Sequence, residues 1–173
     1  MRKILLVIDM QNDFIDGSLG STEAKSIVQN VINKIKEYPP ENVFATKDTH
    51  EANYLSTSEG RHLPVEHCIR GSEGWDIRPE IRSLIPPENV YEKGTFGSLA
   101  LAEKVAEMAR KEEISVEMVG LCTDICVVSN ALLIKAYLPE IPISVDSSCC
   151  AGVTPDKHNA ALETMRSCQI NVE

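Results

Sequence analysis

Apolar and polar positions change period repeatedly along this chain. Ile4-Leu5-Leu6-Val7-Ile8 is an unbroken apolar run that ends in Asp9. A strand covered by helices on both faces reads this way, because neither of its sides can be polar. The next segment, 22–38, places Ile27, Val28, Val31, Ile32 and Ile35 at three- and four-residue spacing, and Pro39-Pro40 follows. That is a helix with one apolar stripe and a proline stop. Short strands are expected over 42–47 and 90–93. A helix over 99–111 carries Leu99, Leu101, Ala102, Val105 and Met108. A strand is expected over 115–121, a helix over 125–138 ended by Pro139, and a strand over 141–146. A helix over 155–167 with proline at its first turn and a last short strand over 169–172 complete the pattern.

Strands thus alternate with helices throughout. This predicts an α/β fold: an open, mostly parallel sheet with helices on both faces, in three layers, joined by right-handed crossovers. Ligands bind such sheets at the carboxyl ends of the strands. No linker, repeat or low-complexity tract interrupts residues 1–173, so a single domain is expected. One long connection, 49–87, carries Trp75 and three of the four histidines. Long connections in compact domains tend to be functional.

Length and composition narrow the picture. A chain of 173 residues with 43% hydrophobic and 25% charged residues can bury a full core. The net charge of -9 disfavours nucleic acid as a partner, since phosphate contacts need a basic patch. The apolar run at the start ends at Asp9, too short for a signal peptide, and no stretch is long enough to span a membrane. A cytoplasmic location is therefore expected, and the six cysteines are read as reduced thiols. No role for Cys149, Cys150 or Cys168 beyond packing follows from the sequence.

Candidate chemistry gathers at strand ends. Asp9 ends the first strand, Asp48 the second and Lys93 the third, and Cys126 follows the fourth. Cys126 stands where a strand becomes a helix. Unpaired N–H groups at a helix start favour a thiolate and can also hold an oxyanion. Asp9 can accept the thiol proton and return it to a leaving amine. Lys93 can favour ionised Asp9 and the Cys126 thiolate. A second cluster is Asp48-Thr49-His50. Residues two apart on extended backbone point the same way, so Asp48 and His50 can share one ion. His67 and His62 compete for a third position, and Glu59 can add a carboxylate. Two histidines and a carboxylate suit Zn, Mn or Fe(II).

Four segments carry a resemblance: Asp9-Met10-Gln11-Asn12-Asp13-Phe14, Lys47-Asp48-Thr49-His50, Pro64-Val65-Glu66-His67-Cys68 and Gly120-Leu121-Cys122-Thr123-Asp124-Ile125-Cys126-Val127. In this order, over nearly the whole chain, they resemble the isochorismatase-like cysteine hydrolases, and the metal pattern resembles the nicotinamidase branch. The resemblance implies a six-stranded parallel sheet and an Asp–Lys–Cys triad at Asp9, Lys93 and Cys126. It implies metal ligands at Asp48, His50 and His67, with Glu59 where some members add one. It implies a cis peptide between Leu121 and Cys122, with the N–H groups of Cys122 and Cys126 turned to an oxyanion. It also implies self-association into a homo-oligomer and a small amide as substrate. Nicotinamidases often carry W-P-x-H near the third ligand, whereas Leu63-Pro64 stand here with an extra residue before His67. Phe14 and Trp75 are then the candidates for the aromatic wall of the substrate pocket.

The expected activity is hydrolysis of a small primary amide, nicotinamide first, through a thioester on Cys126 and with a divalent metal, Zn first. A carbamoyl or ureido amidase is the nearest competitor. A vinyl ether hydrolase of the isochorismatase type would not need the Cys126 thiol. A catalytically silent binding or thiol-redox module is the reading from another class.

Overall fold

In the computed structural model, which describes residues 1–173, six strands form one sheet. They are β1 (Arg2–Ile8), β2 (Val43–Asp48), β3 (Val90–Lys93), β4 (Ile114–Leu121), β5 (Ile143–Ala151) and β6 (Asn171–Val172). The helices are α1 (Asn12–Ile15), α2 (Thr22–Ile35), α3 (Ser58–His62), α4 (Pro79–Arg82), α5 (Leu99–Ala109), α6 (Val128–Tyr137) and α7 (Pro155–Ser167). The sheet order is β3-β2-β1-β4-β5-β6 and every pairing is parallel.

Strand β1 explains the layering. Its side chains alternate between two cores, as the two-residue period of a strand requires. Ile4, Leu6 and Ile8 join one core with residues of α5, α6 and α7, including Leu101, Val105, Ala131, Ile134, Leu162 and Met165. Leu5 and Val7 join the other with Ile27, Val31 and Ile35 of α2 and Ile81 of α4. Each large aliphatic chain fully buried this way contributes roughly 1.5–3 kcal/mol. Helix starts are capped as their sequences suggest: Ser21, Ser98 and Thr154 accept from the N–H groups of Ala24, Leu101 and Lys157, each cap contributing about 1 kcal/mol. No helix is long and apolar enough to cross a membrane.

Chain order reverses direction at β1: β2 and β3 lie to one side of it, β4 to β6 to the other. A crevice opens at such a switch point beyond the strand ends. Asp9 leaves β1 there, and the segment after β4 leaves beside it. Gly120 is what lets the two strands come this close. Its φ is +122°, and a Cβ at that position would lie 2.1 Å from the Ile8 carbonyl oxygen.

Most boundaries shift by a few residues from the sequence expectation, and two shifts change the architecture. Strand β5 runs on past Asp146 to Ala151, because Cys149, Cys150 and Ala151 are buried in the two cores beyond the polar Ser147-Ser148 step. The helix expected from 125 opens instead with a π turn, Thr123–Val127, before α6 begins. The connection 49–87 is built of short pieces: a 3₁₀ turn at Tyr54–Ser56, then α3 and α4.

Candidate active site

The site is assembled from the ends of β1, β2 and β3 and the turn after β4. Asp9 is fully buried, and Lys93 and Cys126 are each only 6% exposed. Lys93 Nζ lies 2.7 Å from Asp9 Oδ2, 3.1 Å from Asp48 Oδ1 and 3.5 Å from Cys126 Sγ. One ammonium therefore touches both carboxylates and the sulfur, so the three residues picked from strand ends converge.

Asp9 is held in an uncommon backbone state. Its φ is +46°, a region that non-glycine residues rarely adopt. Thr46, two residues before Asp48 on β2, closes a ring around it: the hydroxyl donates to Asp9 Oδ1 at 2.6 Å and accepts from the Asp9 N–H at 3.2 Å. Asp9 Oδ2 faces the Lys93 ammonium at 2.7 Å. Burial pushes Asp9 above the usual carboxylate range, and the Lys93 ammonium pulls it back only in part. Burial also pushes Lys93 down, yet the carboxylates of Asp9 and Asp48 hold its ammonium more firmly than usual.

The Cys126 thiol corrects the sequence expectation of a favoured thiolate. Burial, then the Asp9 carboxylate, push it well above the usual thiol range, and Lys93 offsets this only partly. Desolvation of an anion outweighs the nearby ammonium here. The resting group is a neutral thiol.

A second cluster adjoins the first. Asp48, His50, Glu59 and His67 each offer a ligand atom, all within 4.8 Å of one another. His50 Nε2 lies 2.9 Å from Asp48 Oδ2, and Glu59 Oε1 lies 3.7 Å from both His50 Nε2 and His67 Nε2. These donors, two imidazoles and two carboxylates, fit a divalent first-row ion. Burial pushes Asp48 up, but the His50 hydrogen bond and the Lys93 ammonium outweigh it and hold the carboxyl below its usual range. His62, the competitor for the third position, turns away: its Nδ1 lies 2.7 Å from the Ser58 carbonyl oxygen, at the exposed end of α3.

Residues outside the sequence candidates fix this cluster. Gln11 is fully buried and clamps the Asp48 backbone twice, accepting from its N–H at 2.7 Å and donating to its carbonyl at 2.8 Å. Asp13 Oδ2 accepts from the Cys68 N–H at 2.7 Å, which ties the opening turn to the loop bearing His67. Tyr54, also fully buried, packs its ring 4.7 Å from that of His50 and 5.0 Å from that of His67. Gln11 and Asp13 stood in a quoted motif, and Thr46 shares its strand face with Asp48 by alternation. Tyr54 carried no sequence signal.

The aromatic candidates separate. Phe14 sets its ring 5.5 Å from that of His67, at the edge of the cluster. Trp75 is engaged elsewhere. Its indole N–H donates to Thr49 Oγ1 at 2.8 Å, and Lys47 Nζ sits 3.0 Å from its ring centroid. Lys47 and Thr49 alternate with Asp48 and His50, so Trp75 braces the reverse side of this segment and is not brought to the site. Beyond β4, the Leu121–Cys122 peptide is cis. The Cys122 carbonyl accepts from the N–H groups of Ile125 and Val127 at 3.0 and 3.1 Å. All six cysteines are free thiols.

Comparison with known proteins places this geometry. Residues 3–173 match the model of the isochorismatase domain. The nicotinamidase/pyrazinamidase of Mycobacterium tuberculosis is 28% identical, over 98% of this chain and 97% of its own. The crystal structure of the nicotinamidase/pyrazinamidase PncA from Bacillus subtilis superposes with a TM-score of 0.81 at 28% identity, covering 99% of each chain. That of the Pyrococcus horikoshii pyrazinamidase in complex with zinc gives a TM-score of 0.78 at 24% identity, covering 100% of this chain and 99% of the other.

Proposed function

This chain belongs to the isochorismatase family, and on that premise we propose that it is a cysteine amidohydrolase that converts nicotinamide and water to nicotinate and ammonia. The observation that carries the reading is the Lys93 ammonium in contact with Asp9, Asp48 and Cys126 at once, beside a four-residue donor cluster.

Roles follow from the charges. The neutral Cys126 thiol needs a base at the moment of attack. Asp9 takes the proton as Sγ bonds to the amide carbon. The carbonyl oxygen becomes an oxyanion that lies against the N–H groups of Cys122 and Cys126. Asp9 then gives its proton to the amide nitrogen, the C–N bond breaks, and ammonia leaves a thioester on Cys126. Water attacks that thioester, Asp9 takes its proton, and Sγ departs to regain the proton as nicotinate is released. Lys93 keeps its charge throughout. It offsets burial at Asp9, and it stabilises the sulfur anion only when the proton has moved.

Asp48, His50, Glu59 and His67 would hold a divalent ion, Zn first by the donor set. Bound there, such an ion supplies a Lewis acid for a ring nitrogen of the substrate. Phe14 supplies an apolar wall beside it. Leu63, 37% exposed, stands in the segment before His67 where an aromatic is common in nicotinamidases. This favours a second reading, an amidase for a non-aromatic carbamoyl compound.

Ammonia release from a panel of nicotinamide, pyrazinamide and small carbamoyl and ureido compounds, with and without a chelator, tests both. Fastest release from nicotinamide is expected. Preference for a ureido compound favours the second reading, and no release from any amide rejects both.

A further inference from the structure

We propose that His158 is a positioning residue for the oxyanion turn, acting through Thr123. Thr123 is the first residue of the π turn between Cys122 and Cys126, and it is fully buried. Its Oγ1 lies 2.8 Å from His158 Nδ1. His158 is set on the first turn of α7, where its N–H donates to the Thr154 carbonyl at 2.9 Å and Thr154 caps the helix. A second tie runs beside the first. Asp124 Oδ1 accepts from the Val153 N–H at 2.9 Å. Gly152 fills the seam: a Cβ there would lie 2.8 Å from both Asp124 Oδ1 and the backbone nitrogen of His158. The loop between β5 and α7 is thus pressed against the turn with no space for a side chain.

The turn has reason to be braced. A π turn carries a wider hydrogen-bond ring than an α-helix and recurs at functional sites. Here one carbonyl, that of Cys122, serves two N–H groups. Two backbone N–H groups, of Cys122 and Cys126, must converge on one oxygen atom in the mechanism proposed above. A shift of Thr123 changes their separation directly. The Thr123 hydroxyl is the side-chain group of this turn that α7 can grip, and the turn's own backbone bonds do not fix it against the rest of the fold. Burial holds His158 below the usual histidine range, with the Asp124 carboxylate opposing in part. In the neutral ring the pair is bonded in either tautomer, since the hydroxyl can donate to a bare Nδ1 or accept from Nδ1–H. On protonation the hydroxyl accepts, so the tie itself survives acid.

This inference rests on the amidase reading for its kinetic test, so two readouts are paired. An Asn side chain places a polar atom near the position of Nδ1, whereas Gln places one near Nε2. Expected for His158→Gln and Thr123→Val is a kcat for nicotinamide lower by about tenfold, with KM within about twofold. His158→Asn and Thr123→Ser should keep kcat within about twofold, and the double variant His158→Gln/Thr123→Val should lose no more than either single one. Amide hydrogen exchange over 121–127 should quicken in the two damaging variants and not in the two conservative ones. That readout needs no turnover, so a wild-type protein without amidase activity would sink only the amidase reading. If His158→Gln does not fold, the near-isosteric Thr123→Val carries the test. Unchanged exchange and kcat in Thr123→Val, or losses that simply multiply in the double variant, overturn the proposal.

Discussion

Asp48 and Lys93 are in direct contact, with Oδ1 3.1 Å from Nζ, while the other oxygen of Asp48 faces His50. The donor cluster and the nucleophile's cation are therefore one electrostatic unit. A single carboxylate belongs to both.

Lys93→Met should expose this unit. Two buried carboxylates, Asp9 and Asp48, lose their shared cation. A stability loss of about 3 kcal/mol is expected, with turnover down at least about a hundredfold. Urea denaturation and ammonia release measure the two. A variant as stable and as active as wild type would remove Lys93 from the mechanism.

Asp9→Asn makes an opposed pair of predictions. The Asp9 carboxylate is one cause of the raised Cys126 thiol. Removing its charge lowers that barrier, so iodoacetamide should label Cys126 faster at fixed pH. Turnover should fall by about a hundredfold or more, because the base is gone. Slower labelling would show that Asp9 does not face the sulfur as an anion.

Gln11→Ala should leave the fold intact and loosen the metal. Both backbone bonds to Asp48 are lost, and loss of a residue that orients a ligand lowers affinity by about tenfold to a hundredfold. Titration with a competing chelator reads the change. Retained affinity would mean that β2 alone holds Asp48.

Away from the site, Lys34 joins α2 to the sheet, 2.9 Å from both Glu117 Oε1 and Asp146 Oδ2. Burial pushes Asp146 up, but Ser148 hydrogen bonds and the Lys34 ammonium outweigh it, so its carboxyl is held below the usual carboxylate range. A folded value below the unfolded one means that the unfolded chain takes the proton first. This contribution is complete above the ordinary carboxylate value and is lost as pH falls through the folded one. Lys34→Met should cost about 2 kcal/mol at neutral pH and flatten the acid limb of a stability-against-pH curve. An unchanged limb would assign the acid transition to other groups.

Gly120→Ala should be among the most damaging single changes. The backbone conformation is left-handed and the Ile8 carbonyl blocks the new methyl. A loss of at least about 3 kcal/mol is expected from strain and clash together, read as a lower denaturation midpoint. A loss below 1 kcal/mol, on the order of an ordinary surface change, would mean that β1 and β4 can part without consequence.

Much of this was legible in the chain. The run Ile4–Ile8 announced a strand buried on both faces, and the repeated switch of period announced the layers. The convergence of Asp9, Lys93 and Cys126 followed from the rule that strand ends gather at one rim. The choice of Glu59 over His62 did not, because both lie on α3 and only the coordinates show His62 bonded to Ser58. Trp75 misled because an aromatic residue in a long connection signals burial but not direction. The state of the Cys126 thiol was read from its place at a helix start, whereas its degree of enclosure decides it, and enclosure is a property of the packed molecule. Strand β5 outran its hydrophobic pattern because its pairing with β4 skips the polar step after Val145 and resumes at the buried Cys150 and Ala151.

That enclosed, uncharged sulfur has a bearing on how the protein ages. Peroxide and related oxidants attack thiolates, and they must reach them. At rest Cys126 is only 6% exposed and its thiol is held well above the usual range, so both the anion and the access that oxidants need are scarce. The molecule should therefore keep its nucleophile in air without added reductant, spending its reactivity on the carbonyl it was folded to meet.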